Sequence, residues 1–252
     1  MQKYIDAKEE VVWVPNAGNG GDALIALGTA DFFEKIGLRY VIGDKQIIYE
    51  NRVLLFGGGG NIIGIYKDGE TFVTNNIPHN TVIILPHTIK DVNAMIQMFK
   101  KSDIIITRDM ESYKYVKRII PYKENVYVTN DMAFYINLSK MPKRVKGTGS
   151  LNFFRTDVEK KAGDKDPENN KDLSKLINYD HTQRDMTKVF KTAYEFLGEI
   201  NKYEVINTSR LHGSIGAFLM GKKVNLYDNS YGKNKAVYQY SLSKYSDIKF
   251  ID

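Results

Sequence analysis

Short apolar runs alternate along the chain with segments of helical periodicity, and this alternation constrains the fold more than any other feature. Such runs, separated by helices, are typical of βα units with a mostly parallel sheet. In the first half of the sequence the predicted strands are VVWV (11–14), RVLLF (52–56), TVIILP (81–86), DIIIT (103–107) and NVYVTND (125–131). Helices are predicted after the first strand and at residues 90–101 and 109–118. Residues 1–138 therefore form one predicted Rossmann-like, doubly wound domain.

A second, shorter block of the same kind follows. Its predicted strands are 150–155, 203–207 and 222–228, and its predicted helices are 183–201, a helix starting near residue 210, and a final helix around 234–243. Residues 139–252 therefore form a second Rossmann-like domain, whose final helix we expect to pack back on the first. The polar stretch 156–182 is predicted to be a mobile loop. Two such domains facing each other would place a site in the cleft, at the carboxyl ends of the strands.

Composition narrows the class of partner and the compartment. The 252 residues include no cysteine, which excludes disulfides, thiolate metal sites and a cysteine nucleophile, and fits a reducing cytoplasm. No apolar run approaches the ~20 residues that span a bilayer, and the N-terminus does not resemble a secretory signal. The formal charge of +6 favours anionic partners such as phosphometabolites or an acidic membrane surface. Nucleic acid is disfavoured because the lysines are scattered and no binding motif is present. An ordinary basic enzyme surface is the alternative explanation.

The segment VINTSRLHGSIGAFLMG (205–221) predicts an anion site. It reads as a strand, a polar turn and a helix whose first turn holds Arg210 and His212. The first N–H groups of a helix lack internal partners and carry the positive end of its dipole, so phosphate binds well there. Lys233 supplies a further cation downstream. His212 is the candidate proton donor, because a bound dianion would favour its charged form. A histidine that caps the turn beside Ser209 is the alternative.

Two glycine-rich turns are predicted to approach a ligand. Asn16, Asn19 and Asp22 follow the first strand within NAGNGGD, and Asp22 is the candidate general base or, alternatively, only a helix cap. Gly58, Gly59 and Asn61 belong to a second turn, which matches neither the dinucleotide fingerprint nor the P-loop. Close packing between domains is the alternative for this second turn.

Other candidates also follow predicted strands. His87 follows the third strand, and Arg108 follows the fourth, although a structural histidine and an Arg108–Asp109 pair at a helix start are the plainer explanations. Arg155 ends a second-domain strand, and its planar guanidinium suits carboxylate or phosphate recognition, unless Asp157 or Glu159 pairs with it. His79 and His181 lie in polar loops without partners at metal-ligand spacing, so no metal site is predicted.

Taken together, these motifs resemble the polysaccharide pyruvyl transferase family. The run TSRLHGSIGAFLMGKKVNLYDNSYGK is similar to the C-terminal signature of that family, and it is long and specific. NAGNGGDALI, FGGGGN, LPHTI, TRDMES, NDMAF and FFRTDVE match in the same order. The resemblance spans nearly the whole chain, although the second domain is short for the family around residues 156–182.

The resemblance implies a GT-B-like fold and transfer of pyruvate from phosphoenolpyruvate to two hydroxyls of a sugar in a bacterial surface polysaccharide. Arg155, Arg210, His212 and Lys233 would hold the donor, with His212 as general acid, and no cofactor would be needed. The acceptor would be a sugar or lipid-linked oligosaccharide, which leaves open peripheral contact with the inner membrane face. Two alternatives remain at this stage: a GT-B glycosyltransferase that uses a nucleotide sugar, and a non-catalytic protein that binds anions or glycans. The sequence does not indicate the oligomeric state.

Overall fold

The computed structural model describes residues 2–16, 18–178 and 185–252. The chain divides into two compact units, the first comprising Met1–Asn16 with Thr29–Met132 and the second Ala17–Gly28 with Ala133–Asp252. The segment 17–28 thus belongs to the second unit, although the sequence analysis grouped it with the first domain. Among the described residues, no helix has both the length and the apolar character that crossing a bilayer requires.

The first unit is built on a parallel sheet. Its strands are β1 (Val11–Val14), β2 (Tyr40–Ile42), β3 (Val53–Phe56), β4 (Gly59–Ile63), β5 (Thr81–Lys90), β6 (Ile104–Thr107) and β7 (Val126–Val128). Their order is β2-β1-β3-β5-β6-β7, with β4 pairing the second half of β5. Strand β2 lies on one side of β1, and β3 and the later strands lie on the other side, so the direction in which strands are added changes between β1 and β3. Ligands of doubly wound sheets bind beside the carboxyl ends of the strands at such a switch point.

Helices connect these strands, and apolar residues of both the strands and the helices form the core. They are α1 (Gln2–Asp6), α2 (Gly20–Ile36), α3 (Asp68–Asn76), α4 (Asn93–Gln97) and α5 (Met110–Ile119). Strands β1 and β3 are buried at every position, as expected for central parallel strands covered on both faces. Trp13 on β1 packs edge-on against Phe33 of α2, with ring centroids 5.5 Å apart.

The second unit has a four-stranded parallel sheet in the order β11-β10-β9-β8. Its elements are β8 (Ser150–Phe153), α6 (Leu173–Leu176), α7 (Met186–Asn201), β9 (Val205–Thr208), α8 (Leu211–Leu219), β10 (Lys223–Tyr227), α9 (Lys233–Val237) and β11 (Ile248–Ile251). The predicted final helix is α9, followed by a π-helical turn at Tyr238–Leu242. The α/β class with parallel sheets and helices, consistent with a Rossmann-like fold, agrees with the prediction.

Candidate functional site

The predicted donor-binding cations of the second unit lie in one ion-pair network. Arg155 follows β8, Arg210 precedes α8, and Lys233 begins α9, so each lies beyond a strand end or at a helix start. Arg210 donates from Nε and Nη2 to the two carboxylate oxygens of Asp172, at 3.0 and 2.6 Å. Its Nη1 donates to Asp157 at 2.6 Å. The cations therefore meet carboxylates of the chain itself.

Asp157 joins the two arginines. Arg155 Nε donates to its Oδ1 at 2.8 Å, and Arg210 Nη1 donates to its Oδ2. Burial acts to raise the pKa of Asp157, but the hydrogen bond from Arg155 and the charges of Arg210 and Arg155 outweigh it and lower that pKa. The pKa of Arg155 is raised, because its acidic neighbours outweigh its burial. Arg155 and Asp157 are thus both charged at neutral pH.

Glu159 joins Arg155 to Lys233. Its Oε2 accepts hydrogen bonds from Arg155 Nη1 at 2.6 Å and Lys233 Nζ at 2.7 Å. Tyr231 and Asn229 also donate to the same oxygen. The plainer explanation considered for Arg155, pairing with Asp157 or Glu159, is therefore what this structure contains, with both carboxylates engaged.

His212 occupies the first turn of α8, two residues after Arg210. The helix begins at Leu211, and Arg210 takes an extended conformation at the cap position without a side-chain capping bond. His212 is half-buried and packs against Gly21: a Cβ added to that glycine would lie 2.8 Å from His212 Nδ1. Only a residue without a side chain fits there, so the first turn of α2 lies directly beside the imidazole.

That turn holds Asn19 and Asp22 in a reciprocal capping arrangement. Asn19 Oδ1 accepts from the Gly21 N–H at 2.8 Å, while Asp22 Oδ2 accepts from the Asn19 N–H at 3.0 Å. This is the capping box, in which two residues three apart satisfy each other's backbone donors. Asp22 thus has the helix-capping role weighed as its alternative, and it lies one residue from the glycine that contacts His212.

In the first unit, Asn16 and Asn61 meet at the switch point. Asn16 Nδ2 donates to the Gly58 carbonyl at 2.7 Å and to Asn61 Oδ1 at 3.0 Å. Gly57 has a φ of +50°, and a Cβ there would lie 2.5 Å from Asn16 Nδ2. The glycine run is therefore a turn only at Gly57 and Gly58, because Gly59 already starts β4. The second amide-rich turn predicted from the sequence is shorter than expected.

His87 contacts this pair from within β5. Its Nε2 lies 2.9 Å from Asn61 Oδ1, its Nδ1 has no hydrogen-bond partner, and the residue is fully buried. Since the oxygen can only accept, Nε2 carries the proton. Burial, followed by the charge of Arg108, lowers the pKa of His87 to about 3. His87 is therefore neutral at physiological pH and orients Asn61.

Arg108 pairs with a different residue from the one considered in the sequence analysis. It forms a buried ion pair with Asp131, at 2.7 Å from Nη1 to Oδ2. Asp109 instead caps α5 by accepting from the Ser112 N–H at 2.7 Å. Asp131 is distant in the sequence and lies beyond the end of β7, so chain order does not indicate the pairing.

The residues that the sequence analysis did not select are Asp172, Asn229 and Tyr231. Asn229 and Tyr231 lie in the NSYGK turn that the resemblance singled out, which is the signal that could have indicated them. Across residues 2–16, 18–178 and 185–252 there is no group of three or more His, Asp or Glu placed to hold a metal ion. His181 and the end of the predicted loop 156–182 lie outside the described residues.

Proteins similar to this chain include three that match between 82% and 100% of its length. A crystal structure of a functionally uncharacterised protein from Klebsiella pneumoniae subsp. pneumoniae NTUH-K2044 matches with a TM-score of 0.87 and 35% identity, covering 100% of this chain and 95% of that one. A Bacillus subtilis (strain 168) protein named "Putative pyruvyl transferase EpsO" is 25% identical over 91% of this chain and 84% of its own length. General stress protein 30 of the same organism is 26% identical over 82% of this chain and 66% of its own length.

The fold and the second-unit network define an α/β protein whose second unit joins two arginines and a lysine through carboxylates and carries a histidine in the first turn of α8. The family model for polysaccharide pyruvyl transferases matches residues 19–231, from the capping box of α2 to the turn before α9. The chain therefore belongs to the polysaccharide pyruvyl transferase family. Family membership supports an activity in pyruvyl transfer during polysaccharide biosynthesis.

Proposed function

We propose that the protein transfers pyruvate from phosphoenolpyruvate to two hydroxyls of a sugar, forming a ketal and releasing phosphate. The observation that carries the proposal is the grouping of Arg155, Arg210 and Lys233 in one network, with His212 two residues from Arg210 on α8. Phosphoenolpyruvate is a highly charged anion, and guanidinium groups, an ammonium group and helix N–H groups are the partners that such anions need.

In this proposal His212 protonates the methylene carbon of phosphoenolpyruvate, which becomes the methyl group. The adjacent carbon becomes electrophilic, and a sugar hydroxyl attacks it while its proton passes to a base. Asp22 is the candidate base, because its turn contacts His212 through Gly21. The carbon–oxygen bond to phosphate then breaks, and a second hydroxyl closes the ketal and loses its proton. Each proton-transfer residue is expected to contribute roughly 10²–10⁴ in rate.

We place acceptor recognition in the first unit. Asn16 and Asn61 lie at the switch point of its sheet, and side-chain amides can both donate to and accept from sugar hydroxyls. His87 orients Asn61 from beneath. Gly58, Gly59 and Arg108 remain candidates for this side. The GT-B-like arrangement, a cytoplasmic location and a lipid-linked acceptor at the inner membrane face remain part of the proposal.

Ligand-dependent melting followed by product analysis tests the proposal. Phosphoenolpyruvate should raise the melting temperature, whereas UDP-sugars should not. Phosphate release should then appear with one member of a panel of galactosides, mannosides and N-acetylhexosaminides, and NMR of the product should show the ketal methyl group. Stabilisation by a UDP-sugar instead would favour a glycosyltransferase. Binding of phosphoenolpyruvate without phosphate release from any lipid-linked or free acceptor would favour a non-catalytic binding protein.

A further inference from the structure

One carboxylate oxygen in the second unit receives more donors than it can satisfy. Glu159 Oε2 lies 2.6 Å from Arg155 Nη1, 2.7 Å from Lys233 Nζ, 3.0 Å from the Tyr231 hydroxyl and 3.1 Å from Asn229 Nδ2. A carboxylate has about four lone-pair positions over its two oxygens, so one oxygen offers about two. The donors therefore exceed the capacity of the oxygen that they surround.

The donors are held in place by contacts that do not involve Glu159. Asn229 Oδ1 accepts from the Lys233 N–H at 2.9 Å, which fixes the turn between β10 and α9. The Arg155 N–H donates to Ser209 Oγ at 3.0 Å, which fixes the end of β8 beside β9. The donor set thus keeps its backbone positions when the Glu159 carboxylate leaves.

Glu159 lies on a loop whose two ends are joined by hydrogen bonds. Phe154 and Asn170 exchange two hydrogen bonds, from the Phe154 N–H to Asn170 Oδ1 at 2.8 Å and from Asn170 Nδ2 to the Phe154 carbonyl at 3.1 Å. No helix or strand is assigned between residues 154 and 172, all of which the structure describes. The Glu159 carbonyl accepts from the Ser230 N–H at 3.0 Å, and this contact and the carboxylate contacts together hold the loop against the turn before α9, so loss of the carboxylate contacts loosens the loop.

The charges of the network also balance internally. Arg155, Arg210 and Lys233 are matched by Asp157, Glu159 and Asp172. An incoming anion would therefore meet a network without net positive charge unless a carboxylate withdraws. Glu159 is the carboxylate with four donors around one oxygen, and two of them, Tyr231 and Asn229, are neutral groups that suit a ligand oxygen equally well.

We infer that Arg155, Asn229, Tyr231 and Lys233 form an anion subsite that the Glu159 carboxylate fills until an anionic group of the ligand displaces it. The inference rests on the proposed function and adds Asn229 and Tyr231 to the binding residues. The group that enters presents carboxylate or phosphoryl oxygens, and phosphoenolpyruvate carries both. Displacement costs free energy, so Glu159 weakens donor binding and restricts the site to ligands that replace its contacts.

Glu159→Gln tests the inference, with Glu168→Gln as the matched control. Both changes remove one negative charge from the same loop, but Glu168 is exposed and lies outside the subsite. Calorimetric titration of phosphoenolpyruvate should show that Glu159→Gln tightens binding about tenfold or more, because a neutral amide is displaced more easily and the subsite gains net positive charge. Glu168→Gln should change the affinity by less than about twofold, since exposed charges are screened.

Separate titrations with inorganic phosphate and with pyruvate identify the group that enters. Tightening for phosphate alone assigns the subsite to the phosphoryl group, and tightening for pyruvate alone assigns it to the carboxylate. Equal or weaker binding of all these ligands by a folded Glu159→Gln protein would overturn the inference and make Glu159 a fixed structural partner.

A second measurement uses the wild-type protein and does not depend on the variant folding. Hydrogen exchange of residues 156–168 should increase on addition of phosphoenolpyruvate, and unchanged or slower exchange there would count against displacement. Phosphate release by the wild-type protein with an acceptor sugar reports the proposed function separately. If the wild-type protein releases phosphate but Glu159→Gln does not bind phosphoenolpyruvate more tightly, the subsite inference fails and the proposed function stands. If Glu159→Gln binds phosphoenolpyruvate more tightly but the wild-type protein releases no phosphate, the transfer reaction fails and the subsite inference stands.

Discussion

His87 shows how burial changes the chemistry of a single residue. Its ring is enclosed by the first-unit core, stacks on Phe56 with centroids 5.9 Å apart, and has a pKa lowered to about 3. The sequence places it after an apolar run but does not reveal that the strand continues through it. A neutral imidazole at this position cannot provide the charge that phosphate binding would use, so the structure favours an orienting role toward Asn61.

Replacing His87 by glutamine should reduce the loss of unfolding free energy that the wild-type protein shows as the pH falls into the acidic range. A group whose folded-state pKa is depressed contributes stability above its unfolded-state pKa, near 6.5, and that stability is lost as the pH falls towards the folded-state value. The wild-type protein should lose up to about 1.4 kcal/mol per pH unit from this source below pH ~6.5. Urea unfolding at several pH values measures this change in the free energy of unfolding, with His79→Gln as the control for an exposed histidine. Parallel profiles for wild-type and His87→Gln proteins would contradict the prediction.

His212→Gln should remove the acid while keeping the fold. Glutamine retains a polar side chain of similar reach but cannot transfer a proton at neutral pH. We expect kcat to fall by roughly 10²–10⁴ with a much smaller change in the affinity for phosphoenolpyruvate. Steady-state phosphate release and calorimetric binding, each compared with wild type, separate the two effects. A kcat near the wild-type value would remove His212 from the acid role.

At the scale of elements, apolar runs predict the central strands and the edge strands β7 and β8, but miss the edge strands β2 and β11. β1, β3 and β6 coincide with their predicted runs to within a residue or so. β1 and β3 are buried at every position, as central parallel strands are, and β6 alternates buried with partly buried residues. β2 and β11 were not predicted, because they are short and carry exposed residues. β4 was not predicted because its first residues are glycines.

The strand β5 illustrates a different failure. The sequence predicts that it ends at Pro86 and that a helix covers 90–101, but the strand continues to Lys90 and the helix α4 covers only Asn93–Gln97. Proline is tolerated in a strand at an irregularity, and the pairing of β5 with β6 shifts register between Ile84 and His87. The extension exists because β4 supplies a new partner strand, which is a tertiary effect.

The capping box of α2 permits a test that separates stability from catalysis. Asn19→Ala should destabilise the protein by about 1 kcal/mol, because the Gly21 N–H loses its acceptor. Asp22→Asn keeps an acceptor oxygen for Asn19 and should cost less stability, but it should lower kcat if the carboxylate is the base. Thermal unfolding and phosphate-release assays on both variants provide the comparison. Wild-type kcat in Asp22→Asn would leave the residue with the capping role alone.

At the scale of the whole molecule, the two units carry different parts of the proposed chemistry. The donor network, His212 and the capping box of α2 all belong to the second unit, and the Asn16–Asn61–His87 cluster belongs to the first. The boundary predicted at residue 138 does not anticipate this division, because the segment 17–28 packs with a part of the chain that follows it by more than a hundred residues. Chain order alone does not encode that packing.

Phosphoenolpyruvate should therefore protect the second unit selectively. A ligand at a hundred times its Kd stabilises the bound state by about 2.7 kcal/mol. Hydrogen exchange should slow at β9 and α8, whereas β1 and β3 of the first unit serve as internal references. Slower exchange confined to the first unit would contradict the assignment of the donor site.

The sequence by itself determined the α/β class, the central strands, the family and the grouping of candidate residues after strand ends. These follow from local properties, namely apolar periodicity and the order of short motifs. The tertiary structure alone decided which charges meet: Arg210 pairs with Asp172 across 38 positions, and Lys233 with Glu159 across 74. Ion pairing and burial depend on distances in space, so the sequence indicated the cations of a donor site and offered Asp157 or Glu159 as alternative partners of Arg155, whereas only the fold decided that carboxylates of the chain pair with these cations.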